Sequence, residues 1–514
     1  MYVRPIVKKL TSQALCLGMI LLLIGVTRAG LPVNRSTAGI VEHDQGPAVG
    51  ARVRFKATPQ STLTDAKGQF QLEGKGERIT AWLEGYFIAG QAFKQGTGVN
   101  PIQLKPLPKE DHEGYAWVDP RPDAARDGAC ANCHPQIFKE WSQSAHARGP
   151  LHKHFQSFYA GTKQDGQPNH GWHLLKEHPE GAGVCAACHA PTVAFQDEAF
   201  ADLRRTRGVS ALGVHCDYCH KIADTSLEHL GREHGRFAHR LLRPQDGQLF
   251  FGPLDDVDRG EDTYAPLYRE SRYCASCHEG TVLGTKVYTT YSEWLVSPAR
   301  LQGRSCQSCH MKPSGTMTNF APGRGGWERD PQTLATHGTP GGDLATLQSC
   351  LTVDVNIQRN DHKVHVTTTT LARQVGHRVP TGYVDRHVLL VVEGIDANGQ
   401  PVSLLSGPRL PPAAGVGPGT AGAYAGQAGW FMGRILYGTD GQGPVPFWRM
   451  EKPSEDTRLF PDKPDHRTWT YPSEVQHVRV RLIYRRFFHS QIVAKQLTDV
   501  ESVVIDRKAA VPDH

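Results

Sequence analysis

Ten cysteines fall into five Cys-x-x-Cys-His units. They are Cys130-Ala131-Asn132-Cys133-His134, Cys185-Ala186-Ala187-Cys188-His189, Cys216-Asp217-Tyr218-Cys219-His220, Cys274-Ala275-Ser276-Cys277-His278 and Cys306-Gln307-Ser308-Cys309-His310. Two thiols one helical turn apart can each add to a vinyl group on one porphyrin edge. The next residue then points its imidazole at the iron. This is the attachment pattern of c-type haem. Structural zinc also uses Cys-x-x-Cys pairs, but it needs no His after each one. Thiol–disulfide exchange uses one such unit, not five in tandem. The units therefore imply five covalently bound haem c groups. Cys130, Cys133, Cys185, Cys188, Cys216, Cys219, Cys274, Cys277, Cys306 and Cys309 would anchor them, and His134, His189, His220, His278 and His310 would ligate iron.

Each iron has a second axial position. Beyond the N-terminal segment the chain holds four methionines, Met311, Met317, Met432 and Met450, against a total of 26 histidines. Histidine is thus the expected distal ligand, and bis-His ligation sets lower potentials than His/Met. His146 is the first candidate. It ends the run Lys139-Glu140-Trp141-Ser142-Gln143-Ser144-Ala145-His146, and Glu-Trp-x-x-Ser returns at Glu293-Trp294-Leu295-Val296-Ser297. The recurrence hints at a degenerate duplication in which Ala299 stands where His146 would be. The haem so deprived must find another ligand or stay open. His377 is the second candidate, in a loop that Gly376, Pro380 and Gly382 would make rigid; the competing reading is a loop histidine satisfied by local hydrogen bonds. His112, His152, His154, His170, His173, His178, His215, His229, His234 and His239 are weaker candidates, of which His215, directly before Cys216, could serve a neighbouring haem.

The haem segment resembles the multihaem cytochrome c family related to the tetrahaem electron carrier of nitrifying bacteria and to octahaem hydroxylamine oxidoreductase. The resemblance rests on the first unit with Trp141, Ser144, His146 and Ala147, and on Cys188-His189-Ala190-Pro191. It extends to Gly213-Val214-His215-Cys216, Tyr273-Cys274, and Gly303-Arg304-Ser305-Cys306 through Met311. Gly376-His377-Arg378-Val379-Pro380-Thr381-Gly382 looks like that family's Gly-His-x-x-Pro-Thr-Gly, whose His reaches a haem. The resemblance covers about residues 115–400 and implies cofactor and fold type, not a reaction. Pentahaem nitrite reductases replace one motif His by Lys, and all five motifs here keep His, which disfavours that enzyme.

The elements that must position these groups are short. A chain of 514 residues exceeds one domain, and 53 Gly with 35 Pro describe a loop-rich protein. So many haems in so little chain must themselves form the core. Residues 36–105 show strand alternation, as in Ala51-Arg52-Val53-Arg54-Phe55, and resemble a carboxypeptidase regulatory-like β-sandwich through Gly39, Gly50, Thr64-Asp65, Gly68, Phe70 and Gly85-Tyr86. From about 350 the β pattern returns. Asp396-Ala397-Asn398-Gly399 should turn a hairpin, and Val478-Arg479-Val480-Arg481-Leu482 alternates. Residues 106–127 and 322–342 are the expected connectors. The expected architecture is multidomain: a haem-cored, mostly α and loop central domain at 115–325, flanked by β-sandwich domains at 36–105 and 350–510.

Residues 1–29 carry Arg4, Lys8 and Lys9, an apolar run from Ala14 to Val26, and Thr27-Arg28-Ala29. That is the layout of a secretory signal peptide, and Cys16 would leave with it. The formal charge of +6 would fall to +2 without Arg4, Lys8, Lys9 and Arg28, and haem propionates would make the holoprotein mildly acidic. Nucleic acid is therefore not an expected partner, and no membrane span is expected in the mature chain. The sequence reads as a periplasmic or extracellular electron carrier between redox partner proteins, alone or in an oligomer or redox complex. The alternative is an oxidoreductase acting on a small nitrogen or sulfur compound at one open haem.

Overall fold

The computed structural model describes residues 36–163, 167–180, 184–193, 201–360, 362–417 and 420–513. The expected signal peptide and Cys16 lie outside these residues.

Eight strands between Ser36 and Gln103 form two four-stranded sheets. In the first, Ser36–His43 pairs with Gly46–Pro47 and Gln69–Glu73, and runs parallel to Ile102–Gln103. The second has the order Ser61–Leu63, Arg52–Phe55, Arg78–Trp82, Ala89–Ala92. Alternation turns Val53 and Phe55 inward, as it does Phe70 and Leu72, so that both sheets share one core with Val41 and Ile79. The turn before Gln69 is built by Asp65, whose carboxylate accepts from the Lys67 and Gln69 amides at 2.8 and 2.9 Å.

The C-terminal region repeats this plan. Leu351–Asn360, Lys363–Ala372 and Asp465–Pro472 form one antiparallel sheet. His387–Ile395, His477–Arg485 and Glu501–Ala510 form the heart of the other. Val353, Val364 and Val366 of the first sheet meet Val388, Leu390, Val478 and Leu482 of the second. The second sheet is covered on its far face too, by Leu410, Ala413 and Phe488, which explains why His387–Val392 is buried without alternation. The expected hairpin is present: Asp396 accepts from the Asn398 and Gln400 amides. Its second strand, Pro401–Val402, is only two residues long. Cys350 lies half-buried at the edge of this core.

Among the described residues between these β-rich flanks are short helices, 3-10 turns and three two-stranded ribbons. The longest of those helices, Pro135–Gln143, has nine residues. Apolar side chains gather in separate small clusters rather than one core, as expected of a region whose interior must be filled by something other than side chains. Among the described residues no helix is long and apolar enough to cross a membrane.

Candidate haem-binding sites

Each Cys-x-x-Cys pair lies on its own short helix: Cys130–Cys133, Val184–His189, Cys216–Cys219, Arg272–His278 and Cys306–His310. Three-residue spacing on a helix puts both thiols on one face. His134 sits at the junction with the helix that Pro135 starts, so its ring leaves the helix sideways.

Three of the five motif imidazoles are oriented through Nδ1. Nδ1 of His134 donates to the Phe320 carbonyl at 2.7 Å, Nδ1 of His220 to Phe251 at 2.6 Å, and Nδ1 of His310 to Pro340 at 2.7 Å. A proton fixed on Nδ1 leaves Nε2 with its lone pair, which is how second-shell carbonyls orient ligating histidines. Burial also depresses the pKa of four motif imidazoles, His134, His189, His220 and His278. It pushes His189 down to about 4; burial, and then His146, push His278 down to about 3.

Both distal candidates face a motif histidine. The rings of His146 and His278 are 6.3 Å apart between centroids, and those of His310 and His377 are 6.1 Å apart. Two imidazoles bonded to one metal at about 2 Å each would stand at about this separation, so a haem iron fits between the members of each pair. Burial depresses the pKa of His146 and of His377 as well. The other histidines divide. His239 is locked, with Tyr218 Oη on Nδ1 at 2.8 Å and Ser276 Oγ on Nε2 at 2.6 Å, which leaves no lone pair for iron. His215 is fully buried. Its Nδ1 accepts from the Tyr218 amide at 3.3 Å and its Nε2 has no partner. His154 meets the Thr498 carbonyl, and His189 stacks on Phe155 at 4.2 Å.

The motifs also touch one another. The thiol of Cys130 lies against Cys216, that of Cys188 against Cys277, and that of Cys274 against Cys306. Cys219 adds an electrostatic contact to Cys277. The third unit thus adjoins the first and the fourth, and the fourth adjoins the second and the fifth.

The suspected duplication is visible in the backbone. The Trp141 indole donates to the Val214 carbonyl and the Trp294 indole to the Arg304 carbonyl, both at 2.9 Å. Val214 and Arg304 each stand two residues before a motif. The Val214 amide donates to His146 O, and the Arg304 amide to Ala299 O, again at 2.9 Å. Ala299 therefore occupies the His146 position. Gly213 and Gly303 share positive φ, 67° and 71°; a Cβ on Gly213 would come within 2.3 Å of the His146 carbonyl oxygen. Beside Ala299 the chain brings in Gly376, whose added Cβ would lie 3.5 Å from the Ala299 Cβ, and with it His377.

One residue of this constellation escaped the sequence reading. His337 lies in the segment expected to be a loose connector, yet its Nδ1 is buried and its ring lies against the Ala335 carbonyl. Burial, and then the nearness of His220 ahead of His134, hold its pKa down to about 4. The signal was present: His337-Gly338-Thr339-Pro340 and His377-Arg378-Val379-Pro380 share His-x-x-Pro.

Five short helices thus each present the two thiols and the following imidazole that covalent haem attachment requires. Residues 129–221 match the family described as cytochrome c554 and c-prime. The chain is similar in fold to a penta-heme cytochrome c552 from Thermochromatium tepidum, with 21% identity, a TM-score of 0.53, and coverage of 74% of this chain and 97% of that one. No curated protein matches the sequence.

Proposed function

We propose that this chain is an exported pentahaem c-type cytochrome that carries electrons between redox partner proteins. Haem c, when bound, supplies reversible one-electron chemistry at iron. The ten motif cysteines would anchor the five groups, the five motif histidines would each ligate one iron, and His146 and His377 would supply a second imidazole at the fourth and fifth units. The observation that carries the reading is the contact between cysteines of different motifs, Cys130 with Cys216, Cys188 with Cys277 and Cys274 with Cys306. These contacts join the first unit to the third and the second, fourth and fifth to one another, and Cys219 beside Cys277 links the two groups, a connectivity that transport needs and single-site catalysis does not. Cys309 is the most exposed motif cysteine. Near it in sequence stand the exposed apolar side chains of Val296 and Leu301, a natural place for a partner to meet the fifth unit. The N-terminal sheets fit a carboxypeptidase regulatory-like accessory module, held beside the haem region.

An oxidoreductase reading would place the open site at a unit whose motif histidine neither His146 nor His377 faces: the first, second or third. Mass spectrometry and ligand-field spectroscopy of purified holoprotein test both. We expect a mass increment of five haems and a spectrum dominated by low-spin iron. A haem that is high-spin and takes up nitrite, hydroxylamine or cyanide would favour the enzyme. A mass equal to the bare polypeptide would end both readings.

A further inference from the structure

We propose that His337 is the second axial ligand of the haem anchored at Cys216, Cys219 and His220, delivered by a loop that repeats in the first half of the haem region what the His377 loop does in the second. The proposal rests on the haem reading above. Its argument is the duplicated backbone frame, in which Trp141 and Val214 correspond to Trp294 and Arg304 through identical hydrogen bonds. That frame superposes the third motif on the fifth.

The residue before each tryptophan is a glutamate, and each glutamate grips a loop. Glu293 Oε2 accepts from the Arg378 amide at 3.2 Å and from Thr381 Oγ1 at 2.9 Å. It so fixes the His-x-x-Pro loop whose His377 faces His310 of the fifth motif. Glu140 Oε2 accepts from the His337 amide at 2.8 Å. It fixes the other His-x-x-Pro loop, whose histidine lies toward His220 of the third motif. Two glutamates in equivalent places each hold a His-x-x-Pro loop by a backbone amide, at the histidine in one and at the residue after it in the other, and each loop offers an imidazole to the motif its tryptophan braces.

Two further observations mark the loop as built for this task. Thr339 holds φ at +41°, a conformation that a β-branched residue adopts only where its surroundings enforce it. The enforcing contacts run to other ligand candidates: Thr339 Oγ1 meets His146 Nδ1 at 3.2 Å, and Pro340 O accepts from His310 Nδ1 at 2.7 Å. The His337 ring is buried at Nδ1 and lies against the Ala335 carbonyl, the backbone-carbonyl setting that His134, His220 and His310 also have.

The test uses the full-length holoprotein with its haem count established by mass. His337→Ala is expected to keep five haems and to convert one from low-spin to high-spin, as read by electron paramagnetic resonance and magnetic circular dichroism. Added imidazole should restore the low-spin signal. His337→Met is expected to stay low-spin while one of five potentials rises, because thioether ligation raises potential relative to imidazole. If His337→Ala fails to accumulate, His337→Met decides alone. Five haems with unchanged spectra and an unchanged redox titration would overturn the proposal, and so would a new high-spin signal assigned to the haem of His134. Fewer than five haems in the unaltered protein would instead overturn the reading on which it rests.

Discussion

At the scale of single residues, the protein spends buried polarity to hold neutral imidazoles. The Phe320, Phe251 and Pro340 carbonyls each accept a hydrogen bond from a motif histidine, and none of these pairings could be read from sequence, since partners lie 30 to 186 residues away. Asp385 is the costly exception. It is 1% exposed, and neither carboxylate oxygen has a hydrogen-bond partner. Burial raises its pKa to about 8, opposed by Arg434 and Lys495. A carboxyl raised in the folded state is harmless while protonated and destabilising once the pH would ionise it. Its stability contribution is therefore intact below about 4 and lost progressively up to about 8. Asp385→Asn should match the parent near pH 4 and exceed it increasingly toward pH 8, by an amount on the order of a few kcal/mol. Denaturation midpoints at pH 4, 6 and 8 measure the difference directly, which cancels the opposite contribution of the depressed histidines. Lys495, lowered to about 8, acts only above that window. A difference that stays flat with pH would show that Asp385 ionises normally.

At the scale of elements, much was legible and the reasons are local. The five motifs are contiguous, and the strands at Arg52–Phe55 and His477–Arg485 declare themselves by alternation. Glu-Trp-x-x-Ser pointed to a duplication because its residues bond within a few positions: Ser144 N to Trp141 O and Ser297 N to Trp294 O. What stayed hidden is what the duplicated unit grips. Glycine and proline around His337 read as a connector, whereas the segment is tied down by Glu140, His146 and His310. The counterpart grip is open to a direct test. Glu293 bonds Thr289, Thr381 and the Arg378 amide, and pairs with Arg458 at 2.7 Å. Glu293→Gln should loosen the His377 loop. Arg458 keeps Asp456 at 2.8 Å, so the stability loss should fall below the ~3–5 kcal/mol of a fully orphaned buried charge. The specific signature is cyanide binding: ferric Glu293→Gln holoprotein should bind it at one haem faster than the parent does. Equal rates would show that the loop holds its place without the glutamate.

At the scale of the whole molecule, the β-rich flanks are fastened to the haem region rather than strung beside it. The C-terminal flank reaches in through the loop of His377. The N-terminal flank is held by three aspartates of one haem-region loop. Asp255 accepts from Arg52 and Arg54 at 3.1 and 3.0 Å, Asp258 from Lys56 and Arg78 at 2.6 and 2.5 Å, and Asp256 from the Ala57 amide at 2.7 Å and from Arg329. The arginines at 52 and 54 occupy the polar positions of an alternating strand, where sequence reasoning assigns them to solvent; their burial partners are some 200 residues distant. Asp258 carries the most weight because its side chain is 1% exposed and neutralises two cations, one of them, Lys56, 9% exposed. Removing it leaves Lys56 desolvated and unpaired, and breaking a buried pair from one side costs about 3–5 kcal/mol. That cost falls on the junction between the flank and the haem region, since each side keeps an apolar cluster of its own. Asp258→Ala should therefore detach the N-terminal sheets while the haem spectrum stays unchanged. Small-angle scattering should report a larger radius of gyration, and limited proteolysis should cut within 106–127 sooner than in the parent. An unchanged envelope with unchanged cleavage would mean that the apolar contact of Phe87 with Leu249 and Phe251 suffices to hold the flank, and that the aspartates only tune a junction already closed.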